Sequence, residues 1–357
     1  MHSVSPLYAA AELQAHEHRS HHAFAEAADS AERAAKIALR DGNFASWWNM
    51  TFLRAENLLD AQSFEDCAAL ATSLISEVDD PPNHRDQARA HILLAKARQG
   101  AGLLEQAAES ARAASDLTGG ELDVEINIRA RQALIAALAD GGKLAEAWSE
   151  SKGLAEVISD EVDEQLAGKA YWVIGNVAFL CDRVHDGLRY HELAANTFSP
   201  TKNLDVWAKF NKASAAMRLA ANVADADTLR CIERAELATD VIGGSENDLL
   251  LLRRNRAHWS FLAGDAAAAV SLLEEIRATA SLVTPQILGD VCLLLGRSYL
   301  TTGDKDAARQ SLLEAAIHFE SAGAPDRAQQ ARDFLRAELG RASFWSWVVR
   351  VTGFDRN

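Results

Sequence analysis

Gly102-Leu103-Leu104-Glu105-Gln106-Ala107 reads as a tight turn followed by the opening of an apolar helical stripe. A turn residue comes first, then an apolar residue, then an alanine five positions on. The same pattern returns at Gly142-Lys143-Leu144-Ala145-Glu146-Ala147, Gly264-Asp265-Ala266-Ala267-Ala268-Ala269 and Gly303-Asp304-Lys305-Asp306-Ala307-Ala308. Weaker copies stand at His22–Ala27, Gln62–Cys67, Asp182–Gly187 and near Ala221–Ala226. The anchor residue therefore falls at 27, 67, 107, 147, 187, about 226, 269 and 308, in steps of 40, 40, 40, 40 and then about 39, 43 and 39. A steady step of roughly 20–50 residues marks stacked repeats, each of which buries its apolar face against the next.

The flanks say what each repeat is. Twelve positions before the anchor stands a small residue, as at Ala95, Gly175 and Gly296, and apolar or small residues continue four and seven positions after it, as at Ala111 and Ala114 or Leu312 and Ala315. Both flanks have helical periodicity. Each unit is thus two antiparallel helices, A and B, with small residues where their axes cross closely. Pro6, Pro81, Pro82, Pro200, Pro285 and Pro325 all fall at or just before an expected helix start, where a missing N–H costs nothing. No useful β-alternation is present. The expected fold is all-α: a right-handed superhelical solenoid of about eight antiparallel helical hairpins, with a capping helix after Pro325. One array spans 1–340, and an aromatic segment follows at 341–357.

Leu295, Gly296, Tyr299, Gly303, Asp304, Ala308, Leu312 and Ala315 together form a pattern that resembles a tetratricopeptide repeat. The period of about 40 is similar to that of bacterial signalling regulators, including the peptide-pheromone receptors, and the resemblance runs from about 7 to 340. It implies a concave face lined by helix A and a protein or peptide partner. Such regulators often carry a DNA-binding helix-turn-helix. The first repeat begins near Leu7, so none is expected here.

Composition narrows the function. Lys and Arg number 36 against 51 Asp and Glu, a net charge of −15, which argues against direct nucleic-acid binding because phosphates require a concentrated cationic face. Cys67, Cys181, Cys231 and Cys292 are far apart in sequence, the pattern of buried reduced thiols rather than of a disulfide framework. With no signal-peptide pattern at the start and no apolar run long enough to span a membrane, a cytoplasmic protein is expected.

Chemistry-bearing motifs are incomplete. Gly141-Gly142-Lys143 lacks the rest of a phosphate loop, and His191-Glu192 has no second histidine at metalloprotease spacing. The protein is therefore expected not to be an enzyme, and no cofactor is expected. One cluster, His16, Glu17, His18, His21 and His22, offers His18 and His22 at i,i+4 as metal-ligand candidates. The other reading of that cluster is a solvated terminal cap.

The groove is the stronger candidate. With the small residue as position 8 of helix A, positions 2, 5, 9 and 12 form one stripe. It includes Arg89, Lys96, Arg129, Lys169, Trp172, Asn176, Phe179, Asn211, Arg218, Arg254, His258 and Arg297. Seven of the stripe residues are Lys or Arg, whereas only Glu56 and Asp290 are acidic. An acidic peptide segment or free carboxylate is the ligand this favours. Aromatic residues would anchor it, and asparagines would bond its backbone, a use that the pheromone-receptor resemblance also implies. The competing reading pairs these charges with acids of the protein and puts the aromatics in the core. Phe344, Trp345 and Trp347 form a second candidate surface, read either as a lid on the last hairpin or as a docking segment for a partner or a second copy. The expected function is a non-catalytic peptide- or protein-binding scaffold or sensor. Two alternatives stand beside it: a regulator acting on transcription through a protein partner, and a metal-dependent protein using the histidines.

Overall fold

The computed structural model describes residues 5–76, 83–118, 123–279 and 283–337. Phe344, Trp345, Trp347, Pro81 and Pro82 lie outside these ranges. The described residues are helical, without strands. They form α1 (Pro6–Ser20), α2 (Phe24–Arg40), α3 (Phe44–Asp60), α4 (Phe64–Ser76), α5 (His84–Gly100), α6 (Leu104–Leu117), α7 (Val124–Asp140) and α8 (Leu144–Val157). Next come α9 (Glu164–Leu180), α10 (Val184–Thr197), α11 (Leu204–Ala220), α12 (Ala226–Ile242), α13 (Glu246–Leu262), α14 (Ala266–Ala278), α15 (Pro285–Thr302) and α16 (Lys305–Ser321). A further helix covers 325–337. These make eight hairpins and a terminal helix, as the 40-residue period predicts. They gather into two compact units, Met1–Thr197 and Phe198–Asn357.

Each hairpin closes through one residue in the left-handed region: His22, Gln62, Gly102, Gly142, Asp182, Asn222, Gly264 or Gly303. Half of these are glycine, which adopts that conformation without a steric penalty. Each helix A is started by a side-chain cap. Ser5, Asn43, Asn83, Asp123, Asp163, Asn203, Ser245 and Thr284 each accept a hydrogen bond from the N–H three residues on. Such caps contribute about 1 kcal/mol apiece. Pro6 and Pro285 occupy first-turn positions. No helix among the described residues is long and apolar enough to cross a membrane.

Seven residues before each turn the two helices touch. Ala15, Ala55, Ala95, Ile135, Gly175, Ala215, Ala257 and Gly296 all sit there, and seven of the eight are Ala or Gly. The facing anchors Ala27, Cys67, Ala107, Ala147, Ala269 and Ala308 are fully buried. Burial pushes the Cys67 thiol up to about 12, and Cys292 likewise. All four cysteines are free thiols.

Gly296 shows how tight the crossing is. A Cβ there would stand 2.6 Å from Leu312 Cγ and 3.3 Å from the Ala308 carbonyl oxygen. Overpacking of this kind costs about 1–3 kcal/mol, against a helix-propensity gain of about 1. Gly296→Ala is therefore expected to lower the urea midpoint of unfolding. A raised midpoint would mean that the two helices part freely.

Candidate ligand groove

The residue after each crossing position lies about 100° further round the helix and leaves the hairpin interior. In the first unit these residues are His16 on α1, Glu56 on α3, Lys96 on α5, Ala136 on α7 and Asn176 on α9. The faces of α3, α5 and α7 bound an open cavity of about 420 Å³. Phe52, Ile92, Leu93 and Ile126 supply its apolar lining, and Glu56, Arg85, Arg89, Lys96, Glu125 and Arg129 its charges.

Most of those charges are answered within the protein. Arg129 Nη2 lies 2.8 Å from Glu125 one turn back, Arg85 Nε 3.2 Å from Asp123, and Arg89 Nη1 3.1 Å from Asp86. Arg89 also lies over the Phe52 ring at 4.3 Å and the Trp48 ring at 5.1 Å, and the two rings stack at 5.2 Å. Glu56 and Lys96 differ: among the described residues neither makes a hydrogen bond or ion pair. Burial raises the Glu56 carboxyl above the usual range, although Arg19, Arg89 and Lys96 pull it down. The Lys96 side chain is open to solvent but flanked by the groove walls. That enclosure, with Arg129 and Lys169 nearby, holds its ammonium below the ordinary lysine value against the pull of Glu56. Lys169 is exposed on α9, and Trp172 is half-buried one turn further on.

The second unit has its own charged face. Arg254 Nη2 lies 3.5 Å from Asp290, and Asp290 also binds Arg327 at 2.6 Å. Arg297 has no acidic partner among the described residues and lies over the Phe261 ring at 4.9 Å. His258 stands between these two contacts along α13. Burial, with Arg254 and Arg297 beside it, pushes it down to about 4.

Several expected groove residues face elsewhere. Asn211 is 1% exposed, and its Nδ2 donates to the Trp207 carbonyl at 2.8 Å. Arg218 is buried 3.7 Å from Asp225. The reason is register. Asn222 stands six positions before the buried anchor Thr228, where the other hairpins have five, so the anchor is not Ala226 and helix A moves by one. Lys209, Lys212 and Ala216 take the groove positions, with Lys209 and Lys212 paired to Asp205 and Asp248. Phe179 is also buried, packed 5.1 Å from the His191 ring in space left by Gly187. Asn176 Oδ1 accepts from His191 Nε2 at 3.1 Å, so its carbonyl end serves the hairpin interior.

The candidate ligands His18 and His22 do not share a helix. His18 lies in the last turn of α1, while His22 is the left-handed turn residue and packs its ring edge-on to Phe24 at 5.6 Å. Among the described residues no group of three or more His, Cys, Asp or Glu is placed to hold a metal.

This arrangement of capped, tightly crossed hairpins is that of a tetratricopeptide-type helical repeat protein. Aspartyl phosphate phosphatase F from Bacillus subtilis matches with a TM-score of 0.56 at 13% identity, over 81% of this chain and 75% of that one. The apo form of RapI matches with 0.56 at 11% identity, over 77% and 99%. A tetratricopeptide repeat protein from Parabacteroides merdae matches with 0.48 at 15% identity, over 80% and 98%. At these identities the likeness is one of fold. No family model matches the sequence, and no curated protein matches it.

Two consequences are measurable. His258 titrates near 4 when folded and near 6.5 when unfolded. Between those values the unfolded chain binds more protons, so stability falls as pH drops across that window. His258→Gln is expected to flatten that slope in urea melts at pH 7 and pH 5. Glu56 behaves in the other sense. Its raised carboxyl disfavours folding progressively as pH rises from the unfolded-state value, and fully above the folded-state value. Glu56→Gln should therefore raise the midpoint at pH 7, and the gain should vanish where the carboxyl is protonated. A lowered midpoint at pH 7 would make Glu56 a structural partner.

Proposed function

We propose that the protein is a non-catalytic binding protein whose helix-A faces receive an extended peptide or protein segment. The observation that carries this reading is the cavity between α3, α5 and α7. It combines an apolar lining with two charged groups that have no hydrogen-bond or ion-pair partner among the described residues. Its volume of about 420 Å³ lies within the ordinary range of ligand pockets, about 300–1,000 Å³. Apolar anchors with a few fixed polar groups are how such pockets bind and orient a ligand.

Lys169 and Trp172 on α9 extend the same face beyond the cavity. The ion pairs at Arg89 and Arg129 are partly exposed pairs within one helix turn and contribute little to folding, so a ligand carboxylate can compete for either arginine at modest cost. In the second unit, Arg254, His258 and Arg297 are proposed to serve the same role. Four free thiols fit a reducing compartment, and the cytoplasm is the proposed location.

Lys96 is its own reporter, because it is exposed and makes no ion pair. Acetylation by an amine-reactive ester, mapped by mass spectrometry, should fall at Lys96 when a pool of random hexapeptides is added. Lys36 and Lys305, exposed on α2 and α16, should label as before. Equal labelling of all three with and without peptide would count against a peptide groove.

A further inference from the structure

We propose that the α3–α5–α7 cavity selects a peptide carrying a cation and an anion on one face, the cation set against Glu56 and the anion against Lys96. This rests on the groove reading above and names its ligand more narrowly. It also replaces the uniformly acidic ligand that the count of lysines and arginines suggests.

The argument begins with the pairing of the cavity's charges. Arg85, Arg89 and Arg129 are each matched by an acid at 2.8–3.2 Å, so they add little net field. What remains is one carboxylate and one ammonium. They occupy the same position of neighbouring repeats, 40 residues apart, and line the same cavity. Neither reaches the other, since no ion pair joins them.

The remaining groups near the pair do not cancel it. Asp60 and Arg19 bind each other at 2.9 Å, and Arg19 also donates to Asn57 Oδ1 at 2.6 Å. Glu56 lies on the opposite side of the space from Lys96 and repels an anion. A ligand that is all acid meets Glu56, and a ligand that is all base meets Lys96. Only a mixed one satisfies both, so selection comes from repulsion as much as from attraction.

The ligand's spacing follows from the same geometry. An extended peptide puts residues i and i+2 on one face, roughly 6.6 Å apart at about 3.3 Å per residue. Long basic and acidic side chains at those two positions can span the distance between Glu56 and Lys96. The neighbouring residues would lie over Phe52, Ile92 and Ile126. The site therefore calls for a basic residue and an acidic residue separated by one, with apolar flanks.

Four pools of labelled hexapeptides test this, each randomised at the flanks with apolar residues. Positions three and five are both acidic, both basic, one of each in either order, or both uncharged. The wild-type protein should retain the mixed pool about tenfold over each single-charge pool, the discrimination expected from one charge-assisted hydrogen bond. Glu56→Gln should shift the preference toward the acidic pool, and Lys96→Met toward the basic pool. Each variant removes a charge that its surroundings disfavour, so each should keep its circular dichroism and neither should lower its urea midpoint at pH 7, which checks that a lost preference is not lost folding. Equal retention of all pools, or a preference for the acidic pool in the wild type, would overturn the charge selection and leave the groove reading standing. Retention of no pool at all would overturn both.

Discussion

The close crossing of helices A and B is the contact on which everything else in this molecule hangs. It requires a small residue seven positions before the turn and a buried anchor just after it, as at Ala55 and Cys67 or Ala95 and Ala107. Where the crossing residue is glycine the fit is tighter still, with His191 Cδ2 only 2.3 Å from where a Gly175 Cβ would stand. Once that contact fixes the rotation of helix A, the face of every other residue follows from 3.6 residues per turn. Glu56 follows Ala55, Lys96 follows Ala95, His258 follows Ala257, and Arg297 follows Gly296. The helix-A face of each unit is chemically what it is because those residues come one step after a packing residue.

That dependence explains what was legible. The hairpins could be read because four of the eight turns are glycine, and glycine marks a left-handed turn openly. His22, Gln62, Asp182 and Asn222 adopt the same conformation under a steric cost, so their turns were visible only through the period. The helix-A caps at Asn43, Asn83, Asp123, Asp163 and Asn203 carry the same 40-residue step and went unread. Used as a second ruler, they would have placed helix A in the sixth repeat. There one extra residue between Asn222 and Thr228 moved the register, and Asn211 and Arg218 went from groove to interior. A slip of one residue on a helix is about 100°, enough to exchange a ligand-facing side chain for a buried one.

The charge pattern was partly legible too, in a form that counting conceals. Arg89 has Asp86 three residues back, Arg129 has Glu125 four back, and Lys209 has Asp205 four back. Such spacings pair on any helix surface. Glu56 has Phe52 and Leu53 behind it and Leu59 and Asp60 ahead, Lys96 has Ile92, Leu93, Gln99 and Gly100, and Arg297 is likewise without a neighbouring acid. Arg254 and Lys212 also lack an acid along their own helices, but each finds one on the next helix A, Asp290 and Asp248, so only the structure separates them from Glu56, Lys96 and Arg297. Phe179 was beyond reach, because its direction depends on the space vacated by Gly187 on the next helix.

A helical array has little reason to place an unpaired carboxylate and an unpaired ammonium in one enclosed space. Alanine or glutamine at either position would fold as well, and the shifts at both groups show that the surroundings disfavour their charges. Opposite charges that could be joined by a modest rearrangement are instead held apart, each by the packing residue before it. Such an arrangement costs folding stability and gains nothing within the chain. On the proposed reading it becomes favourable when a ligand supplies both missing charges at once, since each added contact is then made in a partly desolvated space where it is stronger than in water. On that same reading the rigid crossing and the unsatisfied pair belong together: the first prevents the collapse that would let the second satisfy itself.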